Sequence, residues 1–253
     1  MTATERLTPE TAGQPQADRP KGARQIVSFA FFRLDPTWRR LPTDLRADQA
    51  RAFRDVAEAP PEGLVTRAYS TMGLRGDVDF LLWQVAPTLE ALRDYASALA
   101  ATDLGAYLTS PHRYLAITRR SMYIDSHRHE GQDGRRERVT PAGAPYLFVY
   151  PFVKTHAWYQ LPFPERQRMM DEHIKVGHEF PSIKINTTYS FGLDDQEFVV
   201  AFEASDPGEF VDLVMKLRSA EQRPYTERDT PIFSCVAGSI ADVLSGVTGV
   251  RLD

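Results

Sequence analysis

The chain has 253 residues, 42% of them hydrophobic and 25% charged, with a net charge of −4, the balance of a globular protein of one large or two ordinary domains. Lys and Arg are spread along it, which argues against a nucleic-acid binder with its clustered basic patch, and no apolar run approaches the ~20 residues of a membrane helix. The single cysteine, Cys235, excludes an internal disulfide, a paired-cysteine haem attachment and a multi-cysteine zinc site, and it fits a reducing, cytoplasmic setting.

Residues 1–24 are rich in Thr, Pro, Gly, Gln and charge, and are expected to form a disordered tail. A first strand follows at Ile26–Phe32, aromatic and β-branched. Next come Trp38, Leu41 and Pro42, then a charged helix carrying Arg46 and Phe53, then a hairpin across Tyr69–Phe80 that continues through Trp83. A second helix over about 88–102 and a strand near 113–118 close this half. The polar, Gly-containing stretch 121–145 reads as a linker.

The same series then recurs at a period of about 120 residues. Tyr146–Val153 is the strand, Trp158, Leu161 and Pro162 repeat the signature, and Arg166 matches Arg46. Tyr189–Phe198 is the hairpin, about 207–222 the second helix and about 231–237 the last strand. The order β-α-β-β-α-β, twice, is that of the ferredoxin-like unit. The expected fold is α+β: two tandem ferredoxin-like units, 25–120 and 146–240, forming a dimeric α+β barrel within one chain, with 241–253 as a C-terminal tail.

Chemistry is expected where the halves diverge, because shared residues mostly maintain the scaffold. His173 stands at the position of Phe53, on a helix stripe with Met169, Val176 and Phe180. A lone histidine on an apolar face is more often a core residue than a ligand, but a buried imidazole needs partners. An iron supplies one and an outer acceptor the other. His178 lies about 140° further round the helix, so the two do not make a zinc pair. On the opening strand Tyr150 and Lys154 stand where the first half has Ala30 and Leu34, on one sheet face. Three polar departures in one half make a polar site the better reading. Arg119, Arg120, Arg135, Arg136 and Arg138 cluster near the linker, and Arg218 and Arg223 follow the second helix. Any of these can donate to an acidic ligand.

At these residues the sequence resembles the chlorite dismutase-like superfamily, and within it the coproheme decarboxylases. The carriers are Tyr150-Pro-Phe-Val-Lys154, Trp158-Tyr-Gln-Leu-Pro162, Glu165-Arg-Gln, Glu172-His173 and Phe191-Gly-Leu-Asp-Asp195. The resemblance spans about residues 25–240 and is weaker in the first half. It implies His173 as the proximal iron ligand and Tyr150 as a redox-active residue, oxidised to a radical that attacks a propionate. It places Lys154 close to the reacting propionates and Asn186 at the distal contact, where decarboxylases often have glutamine. The implied reaction turns coproheme III (iron-coproporphyrin III, both substrate and redox centre) into haem b and carbon dioxide with hydrogen peroxide, through a three-propionate intermediate. A homopentamer is implied as well, with ferrochelatase of the same pathway as a partner. Two alternatives stand beside it. One is a chlorite dismutase, whose distal arginine is missing from Lys184–Thr188; the other is a non-catalytic haem-binding relative.

Overall fold

The computed structural model describes residues 24–123 and 138–252. The expected N-terminal tail and most of the expected linker, Arg135 and Arg136 included, lie outside the described residues.

The first half runs β1 (Ile26–Leu34), α1 (Thr43–Glu58), β2 (Val65–Ser70), β3 (Phe80–Ala86), α2 (Leu89–Ala100) and β4 (Leu108–Ile117). The second runs β5 (Tyr146–Lys154), a short α3 (His156–Gln160), α4 (Phe163–His178), β6 (Lys184–Tyr189), β7 (Phe198–Ala204), α5 (Pro207–Arg218), a short β8 (Thr226–Arg228) and β9 (Phe233–Gly238). Local chemistry marks the ends. Thr88 accepts from the Ala91 amide at the start of α2, and Asp206 accepts from the Gly208 amide at the start of α5. Each hairpin turns on a glycine in the left-handed region, Gly73 at φ 74° and Gly192 at φ 73°.

Strand pairing is antiparallel throughout the described sheet. The first half pairs in the order β4-β1-β3-β2 and the second in the order β6-β7-β5-β9. β2 joins β9 through Ala68–Ser70, and β4 joins β6 at Ile117 and Tyr189, so the pairings run round a closed ring. Inside it, Val27, Phe29, Phe31 and Trp83 of one half pack against Leu147, Val149, Ala201 and Phe233 of the other. Both faces of these strands are covered, which is why β1 and β3 read as unbroken apolar runs.

The outer faces differ. Over the first half, Ala30, Phe32, Leu34, Trp38, Phe53 and Leu104 form a dense layer beneath the helices. Residues 241–252, expected as a tail, do not hang free. They belong largely to a sixth helix, α6 (Ile240–Thr248), whose Val243, Leu244 and Val247 complete that layer. Ser239 caps it by accepting from the Asp242 amide. The matching layer of the second half is thinner, built on Phe148, Val176, Ile183, Phe202, Phe210 and Leu213. Among the described residues no helix is long and apolar enough to cross a membrane.

Backbone hydrogen bonds fix which residues of the two halves correspond. The Leu34 amide donates to Asp79 and the Lys154 amide to Glu197, both at 2.8 Å. Asp35 donates to the Tyr107 carbonyl, and Thr155 to that of Tyr225, both at 2.9 Å. Tyr225 therefore corresponds to Tyr107, and three residues earlier Gln222 corresponds to Leu104. The spacing between the halves shortens before β6 and again in the hairpin.

Candidate functional site

The thin layer of the second half holds the candidate site. Pro162 and Pro164 open α4, whose buried stripe includes Met169 and Val176. His173 lies on that stripe and is only partly exposed, with its Nδ1 3.1 Å from the amide nitrogen of Gln222. Gln222 is buried just beyond α5, and its Oε1 accepts from the Lys154 ammonium at 2.8 Å. Lys154 ends β5 at 7% exposure. Its Nζ stands 4.3 Å from the centre of the Trp158 ring and 5.4 Å from that of Phe152. The two ring faces and the amide oxygen offset part of the cost of burying an ammonium.

This connected trio replaces a wholly apolar one. Phe53, Leu104 and Leu34 hold the corresponding positions of the first half at 1%, 1% and 3% exposure. The scaffold thus closes with three hydrocarbons there, so folding by itself does not call for polar groups at these positions. Sequence comparison at a fixed offset finds His173 and Lys154 but misses Gln222. The shortened spacing sets Gln222 against Thr102 instead of Leu104.

Burial, reinforced by the positive charge of Lys154, lowers the His173 pKa to about 4, so the ring is neutral at ordinary pH. Burial, then repulsion from Arg223 partly opposed by Glu197, lowers that of Lys154 to about 8. The two are linked through the amide. With Lys154 charged, Gln222 turns its oxygen to the ammonium and its NH₂ to Nδ1. Coordination of a metal through Nε2 requires a proton on Nδ1, donated to the amide oxygen. Gln222 must then reverse, and its NH₂ faces a neutral amine. Lys154, poised near neutrality, permits both arrangements. Among the described residues no protein group hydrogen-bonds Nε2 of His173.

Tyr150 lies on the same face of β5, its ring centre 5.7 Å from that of Phe202. Burial, with Asp229 nearby, pushes its phenol well above the usual tyrosine range, against the pull of Arg218 and Arg223. Those two arginines reach one carboxylate: Arg218 Nη1 is 2.6 Å and Arg223 Nη1 is 2.7 Å from Asp229 Oδ2. Tyr150, Arg218, Arg223 and Asp229 therefore form a second polar group beside the trio. Asp229, like Gln222, was not singled out by sequence, since an Asp beside a strand end carries no local pattern.

One expected site residue is placed differently. Asn186 pairs with Ala201, whose side chain enters the ring interior, so Asn186 faces away from Tyr150 and His173. It donates to Glu203 at 3.0 Å, and Glu203 also accepts from the Gly143 amide. Ile185 and Thr187 are the β6 residues on the site face, because they pair with Phe202 and Val200. Lys154 donates to Gln222, and Arg218 and Arg223 both donate to Asp229 and keep further donors.

Among the described residues no three His, Cys, Asp or Glu side chains gather as a metal site. An iron at His173 would arrive already chelated. A planar iron chelate with acidic substituents fits this donor set: one neutral nitrogen with an open Nε2, two part-exposed guanidiniums and an apolar floor of Phe148, Phe202 and Val176.

The family model described as chlorite dismutase matches residues 46–238. A coproheme decarboxylase of Mycolicibacterium smegmatis is 32% identical over 210 residues, covering 81% of this chain and 88% of that protein. A chlorite dismutase of Ideonella dechloratans is 26% identical, covering 80% of this chain and 72% of that protein. A mutant chlorite dismutase of Candidatus Nitrospira defluvii superposes with a TM-score of 0.80 at 23% identity, covering 88% of this chain and 95% of that one. With its antiparallel sheet, six α-helices among the described residues and a match over most of its length, the chain belongs to the chlorite dismutase family.

Proposed function

We propose that this protein is a peroxide-dependent coproheme decarboxylase, with its halves two copies of a ferredoxin-like unit and its substrate bound in the thin layer of the second. The observation that carries the reading is the concerted replacement of Phe53, Leu104 and Leu34 by His173, Gln222 and Lys154, with Tyr150 on the strand that ends in Lys154. His173 holds the iron, oriented by Gln222 and Lys154, which are positioning residues. Iron held by His173 would supply the means of activating peroxide. Tyr150, kept protonated by its surroundings, relays a hydrogen equivalent from the propionate chain. Arg218 and Arg223 hold carboxylates by charge-assisted hydrogen bonds. Each turnover balances as propionate plus peroxide plus a proton giving vinyl, carbon dioxide and two waters. The resemblance extends the proposal to a cytoplasmic homopentamer supplied by ferrochelatase.

The relatives include a decarboxylase and a chlorite dismutase. Tyr150 favours the first, and β6 offers no arginine to the site face for the second. Incubation with coproheme and hydrogen peroxide tests the choice by mass spectrometry. The expected result is two successive losses, each of carbon dioxide and two hydrogens. Stable coproheme would refute decarboxylation, and oxygen release on adding chlorite would favour the alternative.

The trio makes a sharper prediction. Lys154→Leu with Gln222→Leu rebuilds the first half's residues at two positions and removes a buried charge together with its partner. Thermal unfolding should stay at or above the wild-type midpoint, since replacing a buried polar pair by packed hydrocarbon is often neutral or stabilising. Ferric porphyrin affinity should nonetheless fall by about 10–100-fold, the usual consequence of losing a ligand's outer partner. An absorbance titration reads the affinity.

A further inference from the structure

We infer that Asp229 is a built-in competitor for a substrate carboxylate: it occupies the two arginines beside Tyr150, gives way when a carboxylate-bearing ligand binds, and returns when that carboxylate is lost. The inference rests on the porphyrin reading above.

The geometry carries it. Both guanidiniums meet a single oxygen, Oδ2, at 2.6 and 2.7 Å. A guanidinium has five N–H donors. Among the described residues each of these arginines makes its one hydrogen bond to Asp229. The side chains of Arg218 and Arg223 are 39% and 33% exposed, that of Asp229 only 16%. Two cations on one anion leave a net positive charge with unused donors turned outward, which suits an incoming carboxylate. An acid placed only to fix the arginines would engage them in paired, two-oxygen contacts; this one shares a single atom.

Asp229 also has room to yield. It lies between β8 and β9, outside the ladder, so a change of rotamer disturbs no strand pairing. Arg218 ends α5, where the helix dipole favours its charge whatever anion it meets. β8 pairs with β5 at Val153 and Lys154, so Asp229, the residue after β8, follows directly on the neighbour of the strand that carries Tyr150.

A propionate that first meets the free donors and then takes both guanidiniums in paired two-oxygen contacts displaces Asp229, whereas a vinyl group leaves it in place. Asp229 therefore weakens substrate binding and, by re-pairing with the arginines, favours departure of the product. Metal-free porphyrins test this without turnover. Coproporphyrin III has four carboxylates and protoporphyrin IX two, and fluorescence titration measures the affinity of each for wild type, Asp229→Asn and Asp229→Ala. Removing the competing charge should tighten coproporphyrin binding by roughly tenfold at low salt, less at high salt, and leave protoporphyrin within about twofold. The asparagine variant keeps the shape and controls for displaced arginines. Weaker or unchanged coproporphyrin binding in both variants would overturn the competitor role, as would equal tightening for both porphyrins. Failure of wild type to bind either porphyrin would instead overturn the reading on which the inference rests.

Discussion

His173→Ala should lose the histidine-ligated iron spectrum on titration with ferric coproheme, and its affinity should fall further than the roughly 10–100-fold expected for losing only an outer partner. The reason lies in how the imidazole is presented. It stays neutral at ordinary pH because burial and Lys154 lower its pKa to about 4, so a metal at Nε2 need only shift the ring's one proton to Nδ1 and not remove a second. Gln222 holds Nδ1 at 3.1 Å and fixes the ring plane. Alanine removes that nitrogen and leaves Gln222 and Lys154 paired with each other. The protein should still fold, because the first half closes the same position with the hydrocarbon of Phe53. Circular dichroism checks folding and absorbance checks ligation. An unchanged iron spectrum in a folded variant would place the ligand elsewhere.

Tyr150→Phe is the second large effect, and it separates binding from chemistry. Phenylalanine keeps the ring that stacks on Phe202, so porphyrin affinity should change by no more than a few-fold. The phenolic hydrogen is gone, and decarboxylation should fall by at least about a thousandfold, the upper part of the range for a positioned transfer group. The raised pKa of Tyr150 matters here. Above its usual range the phenol remains protonated through neutral pH, so wild-type activity should not depend on ionising this residue. Single-turnover mass analysis reads the loss, and full turnover in the variant would remove Tyr150 from the mechanism.

The element order was legible because each strand and helix carries its own period, and because the series occurs twice. What escaped the sequence depended on register. Gln222 was hidden by the change of spacing between the halves, since a fixed offset compares it with the wrong residue. Asn186 was misplaced because one step along a strand turns a side chain to the opposite face, and only pairing with Ala201 shows which face that is. Lys154 is legible as a departure from Leu34, but its bond to Gln222 is not, because the two are 68 residues apart in sequence. Asp229 gains its meaning from two arginines that approach it in space. The last helix went unread because Ile240–Thr248 has the composition of a short apolar run, and its place over the first half depends on contacts distant in sequence.

The position of α6 has a further consequence. It completes the layer over the first half, and among the described residues the second half has no equivalent helix. A ligand entering there supplies apolar surface that the polypeptide itself does not, and acts as a removable piece of the core. Occupancy and stability are then one equilibrium: whatever binds only the folded chain raises its unfolding free energy with the logarithm of its concentration. The loaded protein should resist unfolding first around α4 and α5, while the half beneath α6 stays indifferent to its ligand.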